Sequence, residues 1–129
     1  MHPSYILLLH AKEDDPMREL ALPPALSEWL FYKKFWEELG QMCQKAFDQY
    51  EEEVIPCDFT PCAIKLLKTL YSSIDSNANN EERFIYGWDE GKKALHCSIN
   101  RKELAEWISK LLEFMEHAAE VPSEVYCQL

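Results

Sequence analysis

Three small groups of residues in this chain are of types that do chemistry. Cys57 and Cys62 have four residues between them. A thiolate pair at that interval can supply half of a tetrahedral zinc site, but a closed site takes two more ligands, usually from a second close pair. Cys43, Cys97 and Cys127 are each isolated, so the pair reads as free thiols buried in a core. His96 and Cys97 are neighbours, a base beside a sulfur nucleophile. Their alternating surroundings place them on a strand, where adjacent side chains leave on opposite faces. A thiol enzyme would therefore need His10 or another base brought in by the fold. Glu113, His117 and Glu120 recur at helical spacing and could offer metal ligands. The Glu-x-x-His pattern of a carboxylate-bridged centre is missing, so they read as a solvated helix face with His117 near its C-terminus. No catalytic residue, metal or cofactor is assigned.

The fourth feature is a distribution of charge. The chain has 23 acidic and 13 basic residues, a net charge of −10. Nucleic acid is disfavoured as a direct partner, because phosphate binding needs clustered Lys and Arg. An anionic membrane surface is disfavoured for the same reason. The carboxylates gather where a helix macrodipole disfavours them. Asp48, Glu51, Glu52 and Glu53 close the pattern of one long helix, with Asp58 just beyond it. Glu113, Glu116 and Glu120 close the pattern of the last helix. Each such charge costs about 0.3–1 kcal/mol when exposed, and local rules are most often broken where function requires it. These eight carboxylates are expected to form the contact surface for a basic protein, which such a field would attract and select by sign. The bland alternative is that an acidic protein scatters solvated carboxylates for solubility.

The elements that must position these residues follow from periodicity. Phe84, Tyr86 and Trp88 alternate with their neighbours, as do Leu95, Cys97 and Ile99, with Gly91 between the two runs. This predicts a hairpin with strands at 83–88 and 93–99. A two-residue Glu90-Gly91 loop would set Trp88 opposite Lys93, Tyr86 opposite Leu95 and Phe84 opposite Cys97, gathering the aromatics on one buried face. Asn100 then caps a helix with Glu103 in the capping-box position. Leu104, Trp107, Ile108, Leu111, Leu112 and Met115 make its apolar stripe, which is expected to cover the hairpin.

Residues 4–11 form an apolar run suited to a central strand buried on both faces. Residues 17–24 read as irregular. Residues 25–54 read as helical throughout, with Gly40 a candidate kink or break into two helices and Pro56 the end. Its dense aromatics, Trp29, Phe31, Tyr32, Phe35 and Trp36, require either a helix packed on several sides or a surface offered to a partner. Thr60-Pro61 reads as a cap with proline at the first helical position. Residues 75–82 read as a polar loop, and 121–129 as a tail after Pro122.

Together these predict a single α+β domain over residues 1–129. Its small, mainly antiparallel three-stranded sheet, residues 4–11, 83–88 and 93–99, is packed by three or four helices. Five cysteines without a secretion signal suggest reduced thiols and a cytoplasmic protein, and no run approaches the roughly 20 apolar residues of a membrane span. The function expected is not enzymatic. It is stoichiometric binding of a basic, toxin-like protein, as an immunity protein or antitoxin masks a nuclease. The alternatives are a homodimer or larger homo-oligomeric adaptor using the aromatics of the long helix, and a small His/Cys enzyme.

Overall fold

The computed structural model describes residues 1–74 and 80–129. In chain order its elements are β1 (Ser4–Leu8), β2 (Glu19–Leu22), α1 (Pro24–Tyr32), α2 (Phe35–Cys43), β3 (Glu52–Ile55), α3 (Thr60–Ser72), β4 (Glu81–Trp88), β5 (Ala94–Asn100), α4 (Arg101–Glu120) and β6 (Val125–Gln128). The class is α+β. A four-stranded antiparallel sheet has the order β2-β1-β6-β3, and β4 with β5 forms a separate two-stranded sheet.

The three strands expected to share one sheet are therefore divided between two. β1 is interior to its sheet, but its neighbours are β2 and β6, segments read from sequence as irregular chain and as a tail. Nor is it buried on both faces. Ser4, Ile6 and Leu8 are buried, whereas Tyr5 is 50% exposed and Leu7 only partly covered. The C-terminal segment enters as the strand between β1 and β3, and the backbone N–H of Leu129 donates to the Glu51 carbonyl at 3.0 Å.

The long helix expected over residues 25–54 is three structures. α1 ends at Tyr32, and Lys34 takes a left-handed backbone (φ 61°) before α2 begins. α2 ends at Cys43, closed by left-handed Gln44 (φ 57°). After a loop, Glu52–Ile55 is a strand. The break comes at Lys33-Lys34 and not at Gly40, which lies inside α2. Gly40 instead lets the loop fold back, because a Cβ there would overlap the Lys45 carbonyl oxygen. The Lys45 N–H donates to the Gly40 carbonyl at 2.9 Å. Periodicity could not reveal the first break. Trp29, Trp36 and Cys43 stand seven apart and Tyr32 and Leu39 likewise, so the apolar pattern runs through Lys33-Lys34 in phase.

α1 lies between the two sheets. Five successive residues, Leu26 to Leu30, are buried, and at about 100° per residue they cover its whole circumference. Ser27 hydrogen-bonds Ser4 on the inner face of the four-stranded sheet. On the other side Tyr32 stacks on Phe84 of the hairpin at 5.0 Å. The aromatics of this region are mostly core: Trp29, Phe35 and Trp36 are each about 1% exposed. α4 carries the expected stripe, with Leu104, Ile108, Leu111 and Met115 fully buried. It packs chiefly along α3 and less on β5, so α1 rather than α4 is the main cover of the hairpin.

The Asn100 cap forms as expected, its side chain accepting from Lys102 N–H at 2.9 Å and Glu103 N–H at 3.1 Å. Thr60 does not cap α3. Its hydroxyl is buried without a partner, and a 3-10 turn over Cys57–Phe59 leads into the helix instead. Of the loop expected at 75–82, residues 75–79 lie outside the described residues, and Glu81 and Glu82 belong to β4.

The hairpin keeps Phe84 opposite Cys97 but departs from the expected register above it. Ile85 faces His96 and Gly87 faces Leu95, leaving Tyr86 in a β-bulge, and Trp88 faces Ala94. The turn is longer than two residues. The Asp89 N–H donates to the Lys93 carbonyl and Lys92 N–H to the Asp89 carbonyl, both at 3.0 Å. Lys92, not Gly91, takes the left-handed conformation (φ 60°).

Candidate partner-binding surface

Only part of the expected acidic surface sits where a helix dipole would oppose it. Glu51 precedes and Glu52 opens a strand, so neither lies at a helix end. The α2 helix carries its acids, Glu37 and Glu38, in its first turn, where the dipole favours them. Glu53 is not free. Its carboxylate accepts from Lys45 Nζ at 3.0 Å and from the Val54 N–H at 2.9 Å. The backbone bond first, and then the ammonium, hold its carboxyl below the usual range. On α4, Glu113, Glu116 and Glu120 are exposed along the helix as expected, and His117 is the base of its last turn.

The fold also separates these groups. Glu52 pairs with Gln128 at one end of the β3–β6 ladder, while Ile55 pairs with Val125 at the other. Exposed Asp48 and Glu51 share the Glu52 end, joined by the Glu51 N–H to Asp48 carbonyl bond of 3.2 Å. α4 feeds β6 at Val125, so Glu120 lies toward the opposite end, with Glu116 and Glu113 one and two turns further back. Asp58, exposed in the 3-10 turn beyond Ile55, also belongs to that end. Of the eight carboxylates, Asp48, Glu51 and Glu52 are thus held together by the β3–β6 ladder and its approach, while those of α4 are carried on a separate element.

What the sequence reading missed is the uncovered face of the four-stranded sheet. Alternation turns Ile6, Leu8, Leu22, Ile55, Val125 and Cys127 inward, all at or below 2% exposure. The opposite positions form two cross-strand rows. One runs Ala21, Tyr5, Gln128, Glu52, and the other Glu19, Leu7, Tyr126, Val54. None of the eight is basic. A shallow groove of about 530 Å³ runs over this face between Tyr5, Leu7, Glu19 and Tyr126. The neighbouring Glu52 carboxylate first, and then burial, push the Tyr126 hydroxyl above its usual range. Beside this face Tyr50, 72% exposed, stacks on His2 at 4.4 Å. Tyrosine rings set among carboxylates suit Arg and Lys side chains, which gain both a carboxylate partner and a π-face. The alternation in Glu19–Leu22 and Val125–Gln128 was the available signal, but four residues are too few to separate a strand from loop by pattern alone.

The other candidates resolve simply. His96 is exposed and Cys97 buried, on opposite faces of β5. His117 Nε2 lies 2.6 Å from Asp15 Oδ2, and this bond is the first cause holding the Asp15 carboxyl below its usual range. His10 Nε2 lies 3.4 Å from Glu124 Oε1. All five cysteines are unpaired, and burial pushes the thiols of Cys43, Cys97 and Cys127 up, Cys127 furthest. Among the described residues no three His, Cys, Asp or Glu side chains converge as metal ligands, and no helix is long and apolar enough to cross a membrane. Comparison with known proteins finds no matching family model, no matching curated protein and no matching solved structure.

Proposed function

We propose that this protein acts by binding another protein stoichiometrically, and that its partner is basic. Within that class the reading is a cytoplasmic inhibitor of the immunity-protein or antitoxin kind, masking a cationic toxin such as a nuclease. A nuclease must present a cationic surface to its substrate, and a preformed acidic, tyrosine-bearing surface competes for it. The observation that carries the reading is the uncovered sheet face, where Tyr5 and Tyr126 lie between Glu19 and Glu52 with no base among the outward positions. Tyrosines are enriched at interface centres, while charges at the rim govern the rate of encounter and its salt dependence. Asp48 and Glu51 extend the field at the Glu52 end. Glu113, Glu116 and Glu120 on α4 and Asp58 in the 3-10 turn are further exposed acids, and Glu53 contributes least because Lys45 already neutralises it.

The alternative of a homo-oligomer built on the aromatics of residues 29–36 would have less apolar area to use, since Trp29, Phe35 and Trp36 are buried and Tyr32 is the most exposed of the five.

The test is co-expression with the basic product of an adjacent reading frame, followed by titration of the purified pair. A 1:1 complex is expected whose association slows steeply between low and high salt. Glu51→Lys with Glu52→Lys should weaken it without loss of fold, and Tyr5→Ala should weaken it at all salt concentrations. A complex indifferent to all three substitutions would remove the sheet face from the assignment.

A further inference from the structure

The four-stranded sheet has two edge strands, β2 and β3, and the phase of the backbone hydrogen bonds shows what each offers. The Leu8 N–H donates to the Arg18 carbonyl at 2.8 Å, which continues the β1–β2 register by one residue. Opposed residues of an antiparallel pair alternate between exchanging both backbone bonds and exchanging none. Leu20 and Leu22 therefore bond β1, while Glu19 and Ala21 turn their N–H and C=O groups to the open edge. The bond from the Leu129 N–H to the Glu51 carbonyl sets the phase of the other edge in the same way. Glu53 and Ile55 bond β6, while Glu52 and Val54 turn theirs to the open edge.

The two edges are not alike. On β3 the Val54 N–H is taken by the Glu53 carboxylate at 2.9 Å, and Lys45 Nζ holds that carboxylate at 3.0 Å. An edge with a donor already satisfied is a poor template for another strand. On β2, among the described residues, no hydrogen bond reaches the Glu19 or Ala21 backbone from the open side. The strand contains no proline, lysine or bulge. Glu19 and Ala21 are exposed, and Leu20 between them is only partly covered although its side chain points to the core side. The groove of about 530 Å³ lies at this edge, against Glu19, Leu20 and Ala21. Charge selects what can pair there. From Lys12 to Leu22 the chain holds Glu13, Asp14, Asp15 and Glu19 against Lys12 and Arg18, with Asp15 bonded to His117. A second copy, itself at −10, is repelled from such an edge, and a basic strand is drawn to it.

We infer that the partner adds an extended basic segment to the open edge of β2. The inference rests on the proposed binding of a basic protein and gives that contact a shape, with main-chain bonds supplying affinity and alternate side chains supplying selection. In antiparallel order two residues of the segment, two apart, lie opposite Glu19 and Ala21 and exchange four backbone bonds with them. Directly opposed residues share a face, so the side chains of these two lie on the outer face, where a Lys or Arg opposite Glu19 meets its carboxylate. The residue between them turns to the core side beside Leu20 and is apolar. The segment recognised therefore reads base, apolar, base.

Titration of the full chain with the acetylated, amidated peptide Lys-Val-Lys-Val-Lys, read by NMR and hydrogen exchange, tests this. With about nine-tenths of the chain bound, the Glu19 and Ala21 amides should exchange about ten-fold more slowly. The Leu20 amide should not change, because β1 already holds it, nor the Val54 amide, because Glu53 does. N-methylation of the lysine amides removes the donors at the paired positions and should weaken binding about ten-fold or more. N-methylation of the valine amides should leave it intact, and Glu-Val-Glu-Val-Glu should not bind. Ala21→Pro removes one open-edge donor without breaking the β1 ladder, as prolines on edge strands do. It should weaken both the peptide and the basic protein about ten-fold. If that variant fails to fold by circular dichroism, the methylated peptides decide alone. No protection at Glu19 and Ala21, equal losses from methylation at lysine and valine, or equal binding of the glutamate peptide would each overturn the inference. A basic protein that binds Ala21→Pro as tightly as the unsubstituted chain, with those two amides unprotected, would overturn it and leave the proposed function standing. Protection by the lysine peptide in a chain that binds no basic protein would do the reverse.

Discussion

The two sheets of this protein are held together in different ways. The hairpin uses one contiguous segment, β4 to β5, and needs only a five-residue turn. The four-stranded sheet gathers β1, β2, β3 and β6 from residues 4 to 128, with the two chain ends side by side: Tyr5 pairs with Gln128, and His2 Nε2 lies 2.5 Å from the Leu129 carbonyl oxygen. Closing such long loops costs entropy before any strand contact repays it. The hairpin can therefore form early and locally, while the larger sheet is completed only when Val125–Gln128 pair with β1 and β3. The surfaces differ in the same sense. The local sheet exposes a tryptophan among charges of both signs, and the non-local sheet exposes tyrosines and acids.

The sharpest way to break this comparison is to remove residues 125–129. β6 sits between β1 and β3, and its loss opens both ladders and exposes the inner side chains of Ile6 and Ile55. A loss comparable to the whole stability of a domain, about 5–15 kcal/mol, should abolish the cooperative urea transition. Any hairpin signal that survives by NMR would show how far the local sheet stands alone.

A smaller effect is expected at Gly40, which lets the chain turn from α2 toward β3. Gly40→Ala gains about 1 kcal/mol of helix propensity but forces a methyl against the Lys45 carbonyl. The net cost should be about 1–3 kcal/mol in a denaturant titration. Near-UV changes should be confined to the Trp36–Phe47 contact, whose rings lie 5.7 Å apart.

On the hairpin side, Asn100→Ala removes the cap joining β5 to α4. It should cost about 1 kcal/mol, and hydrogen exchange should show the loss in the first turn of α4, with β1 and β6 unaffected.

The smallest effect is acid sensitivity. Asp15 and Glu53 have folded-state values below their ordinary ones, so the stability they contribute is complete above the usual carboxylate range of about 4. It is lost as pH falls through the lowered folded values, because the unfolded chain takes up those protons first. Asp15→Asn should make the fall of the urea midpoint between pH 5 and 3 shallower than in the unsubstituted chain. An unchanged slope would show that the Asp15–His117 bond does not bind the β1–β2 loop to α4 in solution.

How much was legible depended on the range of the interactions. The α4 stripe, the Asn100 cap and the pairing of Phe84 with Cys97 are all settled within a few residues, and pattern reading found them. The region from Lys33 to Ile55 was misread because its apolar spacing stays in phase through the break. The residues that interrupt it, Lys34 and Gln44, give no sign of a left-handed backbone, which costs a non-glycine residue about 1–2 kcal/mol and is stabilised here only by surrounding contacts. Of the candidate surface, the residue types were visible, including the excess of acid and the exposed α4 carboxylates. The helix-end logic for Asp48 and Glu51 to Glu53 did not hold, because those residues do not end a helix. Tyr5, Glu19 and Tyr126 went unnoticed, because strands of four or five residues say little about their partners.

The chain by itself determined the α+β class, the hairpin, the capped amphipathic last helix and an acidic charge balance. These rest on local propensity and on composition. Tertiary structure decided which strands became neighbours, where the long apolar run would break, and that a one-residue bulge would turn Trp88 from the core to solvent. A sheet assembled from the two ends of the chain has no local signature, and a bulge inverts every later side chain while leaving the residue types unchanged.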